Sequence, residues 1–211
     1  MSTDAPVRRR LLSATARLIY RDGITATGVE GIAAAAGVAK MSLYRHFPGG
    51  KDDLVAAALA QRRHDVVGRL VEEARRLALG GAGGAGTRSD PVATVLAVFD
   101  VVDGQTRDPH WRGCPFLNAA AELPPAHPAR AVVLAHRHDL HGQFTDLLRE
   151  AGLEDPGRLA STLLLLLDGA LAGSALTPEQ RPALLAREVA ARLLTEAPWS
   201  APAPGAGTID G

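Results

Sequence analysis

Apolar residues recur every three to four positions along almost the whole chain. No stretch alternates apolar and polar residues for long enough to make a convincing strand. From Asp4 to Arg21, Val7, Leu11, Ala14 and Leu18 fall on one stripe, widened by Ile19, which predicts an amphipathic helix. Pro6 suits its first turn, where a missing N–H costs nothing. Asp22-Gly23 closes it, glycine accepting the left-handed conformation. A short second helix is expected to begin at Thr27, because Thr27 and Glu30 have the spacing of a capping box. Ile32, Ala33 and Ala36 supply its inner face, and Gly37 stops it. After the turn Gly37-Val38-Ala39, a third helix runs from about Lys40 to Phe47, until Pro48-Gly49-Gly50 breaks it. Lys51-Asp52-Asp53-Leu54 opens a long fourth helix that reaches about Leu79. Its acidic first turn suits the helix dipole.

Further helical patterns fill about 91–106, 115–123, 129–152, 157–176 and 179–196. Between them stand Asp108-Pro109, Pro124-Pro125 with Pro128, Asp155-Pro156-Gly157 and Thr177-Pro178, all helix breakers. Residues 80–89 read as a flexible Gly-rich loop, and 197–211 as a disordered Pro/Ala/Gly tail. The expected fold class is all-α.

Composition narrows the function. The 211 residues are 46% hydrophobic and 22% charged, enough for a packed core without disulfide staples. The longest unbroken leucine run, Leu163 to Leu167, falls far short of the ~20 apolar residues that cross a bilayer. The N-terminus has no apolar core or small-residue cleavage site of a signal peptide, so a cytoplasmic location is expected. The single cysteine, Cys114, cannot form an internal disulfide or a thiolate zinc site alone. It reads as a small packed hydrophobe, with a redox-sensitive thiol as the alternative. Net charge is zero, but residues 1–65 carry ten basic against six acidic side chains, so the remainder is net acidic. A basic head on an acidic body suggests a polyanion partner for the head; chance clustering on a solvated surface is the plain alternative.

Two short helices joined by a three-residue Gly-containing turn form a helix-turn-helix pattern. The run from Thr27 to Leu54 also resembles the DNA-binding segment of the tetracycline-repressor (TetR) family of bacterial regulators. The resemblance rests on Thr27, Ile32-Ala33, Ala36-Gly37-Val38, Leu43-Tyr44, His46-Phe47, Lys51 and Leu54 at the family's spacings. Gly113-Cys114-Pro115-Phe116-Leu117-Asn118 resembles a further segment found in a subset of that family. Met41 departs from the pattern, where small residues are frequent.

The resemblance implies an N-terminal three-helix DNA-binding head, residues 1–50, and a helical ligand-binding and dimerisation body, residues 51–196. The third helix would enter the major groove. Lys40 is the leading base reader, since its ammonium can donate to guanine O6 or N7. Met41 suits a thymine methyl, and Ser42 a base or a phosphate. Tyr44 matches the family's phosphate-binding tyrosine, with buried packing as the alternative. His46 takes a similar contact or caps the helix. Thr27 doubles as cap and phosphate contact, and Lys51 joins a helix N-terminus as an anion site. Arg45 reads as a phosphate contact or a solvated charge. Arg8, Arg9 and Arg10 read as a solvated N-terminal arm.

In the body, Trp111, Phe116, Asn118, Phe144 and Asp168 are candidate ligand contacts, with Leu117 and Leu148 beside them. Ordinary core packing is the competing reading for the aromatics, and a solvent-facing position for Asp168. His136, His138 and His141 with Asp139 read as a solvated helix face; no metal and no cofactor are expected. The last two helices carry more apolar surface than one chain needs, with Leu163, Leu164, Leu167 and Leu171 on one stripe and Ala170 and Gly173 permitting close approach. A homodimer through these helices follows, as the family implies, with two recognition helices about one DNA turn apart. The expected function is a transcriptional regulator, a repressor released from a palindromic operator in double-stranded DNA by a small-molecule effector. No phosphate loop, nucleophile elbow or metal-ligand pair suggests an enzyme. An all-α small-molecule-binding protein that does not bind DNA is the alternative.

Overall fold

Helix boundaries follow the breakers closely. The computed structural model describes residues 4–81 and 90–198. In chain order its helices are α1 (Asp4–Asp22), α2 (Val29–Ala36), α3 (Lys40–His46), α4 (Lys51–Gly81), α5 (Pro91–Thr106), α6 (Pro115–Glu122), α7 (Ala129–Glu150), α8 (Pro156–Leu176) and α9 (Pro182–Glu196). A single 3-10 turn, Pro178–Gln180, precedes α9 and delays its start beyond Glu179. There is no strand among the described residues. Most of the Gly-rich loop and of the C-terminal tail lies outside them. Gly80 and Gly81 belong to α4, and Ala197 is buried while Pro198 accepts the Glu154 N–H at 3.0 Å.

Prolines open four helices. Pro91, Pro115, Pro156 and Pro182 each take a first-turn position where no N–H is needed. Asp90 caps α5 by accepting the Val92 N–H at 2.9 Å. Gly37, at φ 63°, ends α2: its N–H donates to Ala34 O and that of Val38 to Ala33 O. That is a Schellman closure, and it fixes the turn into α3. The capping box at the other end of α2 does not form. Gly28 holds the cap position, while buried Thr27 donates its hydroxyl to Gly23 O at 2.7 Å.

Three apolar cores stack along the molecule. The head core joins Leu11, Ile32, Leu43, Phe47 and Leu54. A junction core gathers Ile24, Val55, Leu59, Phe116, Leu123 and Ala129. The body core is the largest and includes Phe99, Phe144, Leu148, Leu163, Leu164 and Leu194. Each such fully buried side chain contributes roughly 1.5–3 kcal/mol. Helix α4 enters all three, through Leu54 and Ala58, then Val55 and Leu59, then Val67, Val71 and Ala74.

Helix α8 is long and apolar enough to cross a membrane by composition, although its longest leucine run is short. In this fold one face of it serves the core. Leu163, Leu164 and Leu167 are buried within the chain and Leu171 packs partly buried beside them, which corrects their assignment to a dimer stripe. The close approach at Gly173 is likewise internal, since a Cβ there would lie 3.0 Å from Pro182 Cβ. The outer faces of α8 and α9 instead expose Leu165, Leu176, Leu185 and Val189. Asp103, almost wholly buried, ties α5 to the start of α9. It accepts from Arg181 at 2.7 Å and from Arg107 at 2.5 Å. These hydrogen bonds, that of Arg181 foremost, hold the Asp103 carboxyl below the usual carboxylate range.

Candidate functional site

Helix α3 is anchored by one face. Leu43 is fully buried and Phe47, just past its end, is nearly so. The opposite face is open: Met41 is 75% exposed and Tyr44 39% exposed, with Lys40 and Arg45 also exposed and Ser42 and His46 half-buried. Tyr44 lies against Gly50, where a Cβ would come within 3.3 Å of its ring. Gly50 has φ 68°, so both space and backbone require glycine beside that ring.

The cations of the head have specific partners. The Lys40 ammonium lies 3.0 Å from a Glu30 carboxylate oxygen, and this hydrogen bond raises its pKa above the ordinary lysine value. Lys51 donates to Thr25 O at 3.3 Å. Just before α4 the Gly49 N–H donates to Asp53 at 2.7 Å, so one of the N–H groups near the start of that helix is already taken by a carboxylate. Arg8 and Arg10 belong to α1 and not to a loose arm. The Arg8 guanidinium lies 5.3 Å from the Phe47 ring centroid, and Arg10 donates to Gly37 O at 3.4 Å. Thr27 is committed to Gly23 and buried.

Between head and body lies a cleft of about 1090 Å³. Its walls come from α1 (Arg17, Leu18, Tyr20), α4 (Arg62, Val66, Leu70), the segment 108–115, and apolar side chains of α7 and α8. The Gly113–Asn118 segment shapes its rim. Gly113 turns at φ 87°, Cys114 caps α6, and Pro115 opens it. Asn118 folds back to donate to Arg112 O at 2.8 Å. Burial pushes the Cys114 thiol up, against two backbone N–H groups that favour the thiolate.

Of the five body residues expected to touch a ligand, Trp111 alone lines this cleft. Phe144 is fully buried in the body core. Phe116 lies under the His136 ring, the centroids 3.7 Å apart. Asn118 lines smaller hollows beside Glu122. Asp168 pairs with Arg137 at 2.6 Å, and burial still raises its pKa.

The histidines of α7 separate. His136 is buried, 6% exposed, on the cleft wall rather than on a solvated face. Burial lowers its pKa to about 4, so the ring is neutral near pH 7. His141 Nε2 lies 3.1 Å from Gly157 O and from Ser161 Oγ. Asp139 pairs with Arg63 through two hydrogen bonds, which hold its carboxyl low. Among the described residues no group of three His, Cys, Asp or Glu is placed to hold a metal ion.

Periodicity did not reveal the contacts that join head to body. The Arg112 N–H donates to Tyr20 Oη at 2.9 Å, and the Thr25 N–H to Glu122 at 2.9 Å. Each pair is more than ninety positions apart, and no local pattern marks it.

Comparison with known proteins agrees with this architecture. Residues 11–58 match the family described as bacterial regulatory proteins, tetR family. The crystal structure of a TetR-type transcriptional regulator (sav143) from Streptomyces avermitilis is 35% identical with a TM-score of 0.72, covering 90% of this chain and 94% of that one. SCO4454, a TetR-family transcriptional regulator from Streptomyces coelicolor, is 33% identical with a TM-score of 0.74, covering 91% and 96%. The HTH-type transcriptional regulator LmrA of Bacillus subtilis is 35% identical over 65 residues, and the chain spans only 35% of that protein's length. With its helix-turn-helix head, all-helical body and two relatives matched nearly end to end, the chain belongs to the TetR family and is a DNA-binding transcriptional regulator.

Proposed function

We propose that two copies of this chain bind a palindromic operator in double-stranded DNA, and that a small organic effector in the cleft releases them. The protein is then a ligand-responsive repressor. The observation that carries the reading is the open face of α3, with Lys40, Met41 and Tyr44 exposed opposite Leu43 and Phe47. In a major groove, Lys40, Met41 and Ser42 read base edges, while Tyr44, His46 and Lys51 serve the phosphates. Thr27 acts by holding the loop before α2, through its bond to Gly23.

Residues 1–50 act as the head and 51–196 as the body, with the first turns of α4 packed in the head core. The outer faces of α8 and α9, with Leu165, Leu185 and Val189 exposed, pair across a two-fold axis. An effector must bind the DNA-incompetent state better than the competent one. The cleft suits this requirement, because its walls include α1 as well as α7 and α8.

The test is selection of bound duplexes from a random pool by the purified protein. Enrichment of a palindrome with half-sites about one turn apart supports the reading. Affinity for that duplex should fall by ~10³ or more between about 50 and 200 mM salt if six or more phosphates are contacted. No enrichment and no salt dependence would refute it.

A further inference from the structure

The cleft has two buried polar atoms without a hydrogen-bond partner, and both belong to side chains on its wall: Arg62 Nε and His136 Nδ1. Such atoms are costly to leave unpaired inside a protein. The Arg62 guanidinium rests 4.9 Å from the Tyr20 ring centroid, so the aromatic face supports its plane. His136 is pinned by its stack on Phe116 and is neutral near pH 7. Around it the wall is apolar, made by Leu140, Leu167 and Leu171.

Charge in the cleft leans positive. Five arginines line it, Arg17 and Arg21 from α1, Arg62 and Arg69 from α4, and Arg112 from the rim. Among the described side chains Glu73 and Asp108 share the lining; Asp22, outside it, neutralises Arg21, and Arg69 is engaged in an interaction of its own, so Arg17, Arg62 and Arg112 supply the positive charge. A low-dielectric cleft with this balance attracts an anion and disfavours a cation.

We infer that the effector is an amphipathic organic acid, with its carboxylate on the Arg62 fork and its apolar body along Leu140, Leu167 and Leu171. The inference rests on the proposed reading of the cleft as the effector site. A planar guanidinium matches a carboxylate through two parallel hydrogen bonds. His136 Nδ1 adds one polar contact partway along an otherwise apolar wall, which favours acids carrying a hydroxyl or keto group over plain chains.

Three probes of equal length and opposite head chemistry test this: decanoate, decanol and decylammonium, titrated calorimetrically into the whole protein without DNA. Decanoate is expected to bind ~10-fold or more tightly than either of the others, if the arginine–carboxylate pair forms in the cleft. Arg62→Gln should weaken decanoate by about tenfold and leave decanol unchanged; 10-hydroxydecanoate and 5-hydroxydecanoate compared on His136→Phe read the second contact. Equal binding of the three probes to the unaltered protein, no binding of decanoate, or an Arg62→Gln variant that binds it undiminished overturns the ligand class. The three-probe comparison needs no variant, so a misfolded Arg62→Gln does not decide it. Decanoate that binds but fails to release the selected duplex supports the ligand class and refutes effector release, whereas a protein that binds the duplex but no acid loses the ligand class alone.

Discussion

Glu122, the last residue of α6, accepts the backbone N–H of Thr25 at 2.9 Å, across 97 positions of sequence. The same Thr25 peptide segment accepts Lys51 through its carbonyl. Gly23 lies so close that a Cβ there would meet the Glu122 carboxylate at 3.2 Å. The other end of α6 begins at Cys114 and Pro115 on the cleft. Eight residues of helix, about 12 Å, therefore run from the cleft to the loop before α2. Glu122→Ala is expected to speed amide exchange at Thr25 by about fivefold, the loss of one exposed hydrogen bond, with little change in the body. Unchanged exchange at Thr25 would show that the loop is held by its other contacts alone.

The Glu30–Lys40 pair sets a second expectation. In the proposed complex the Lys40 ammonium leaves Glu30 to reach a base, and the carboxylate, left unpaired, repels the DNA polyanion. Glu30→Gln is expected to tighten binding to specific and random duplexes alike by ~2–5-fold at low salt, an advantage that screening removes as salt rises. Lys40→Ala should instead alter preference at one base position, by roughly 1–3 kcal/mol. Fluorescence anisotropy across a duplex panel separates the two. Equal losses on specific and random DNA for Lys40→Ala would assign that side chain to a phosphate.

These cases show what was legible in the sequence and what was not. Proline and glycine act locally, so the breakers placed nearly every helix end, and Gly37 closes α2 as its position implied. The cap expected at Thr27 does not form because a hydroxyl has two possible uses. The loop from Gly23 folds back within reach, and the bond to its carbonyl won over the cap. Helical periodicity separates His136 from His138 and His141, but it does not say which face meets the core; His136 turned inward onto Phe116. The leucines of α8 pose the same difficulty. Apolar spacing announces a buried stripe without saying whether its partner is α7 and α9 or a second chain, and Leu163, Leu164 and Leu167 chose the former. The ties from Tyr20 and Glu122 depend on tertiary placement, which no window of neighbouring residues contains.

The proposed dimer face makes a sharp contrast between neighbours on one helix. Leu165 is 67% exposed while Leu164 is fully buried. Leu165→Glu combined with Val189→Glu should leave the fold and melting temperature nearly intact, yet halve the mass seen by sedimentation and abolish tight operator binding. Leu164→Ala should keep the dimer while lowering stability by about 2–5 kcal/mol, the cost of a core cavity. An unaltered sedimentation coefficient in the double variant would move the interface elsewhere.

Cys114 answers to burial more than to its helix-cap position. With its thiol pushed up, little thiolate exists near pH 7. Labelling by a thiol reagent at pH 7.5 is expected to be slower than for a free exposed cysteine by about tenfold or more. Cys114→Ser should bind the operator equally under oxidant and reductant. An oxidant response in the unaltered protein that disappears in Cys114→Ser would give the thiol a sensing role.

His136 predicts how stability depends on acid. Its pKa in the fold is about 4, lowered by burial from an ordinary 6.5. Unfolding releases the ring into water, so the unfolded chain takes up the proton first as pH falls. The stabilisation is therefore complete above about pH 6.5 and drains away between there and pH 4. Over that window the linked loss is on the order of 3 kcal/mol. His136→Phe keeps a ring against Phe116 and removes the titrating group. Denaturant titrations at pH 7, 5.5 and 4.5 should show the unaltered protein losing stability faster than His136→Phe. Parallel curves for the two would mean that the imidazole stays hydrated in the cleft and titrates near its ordinary value.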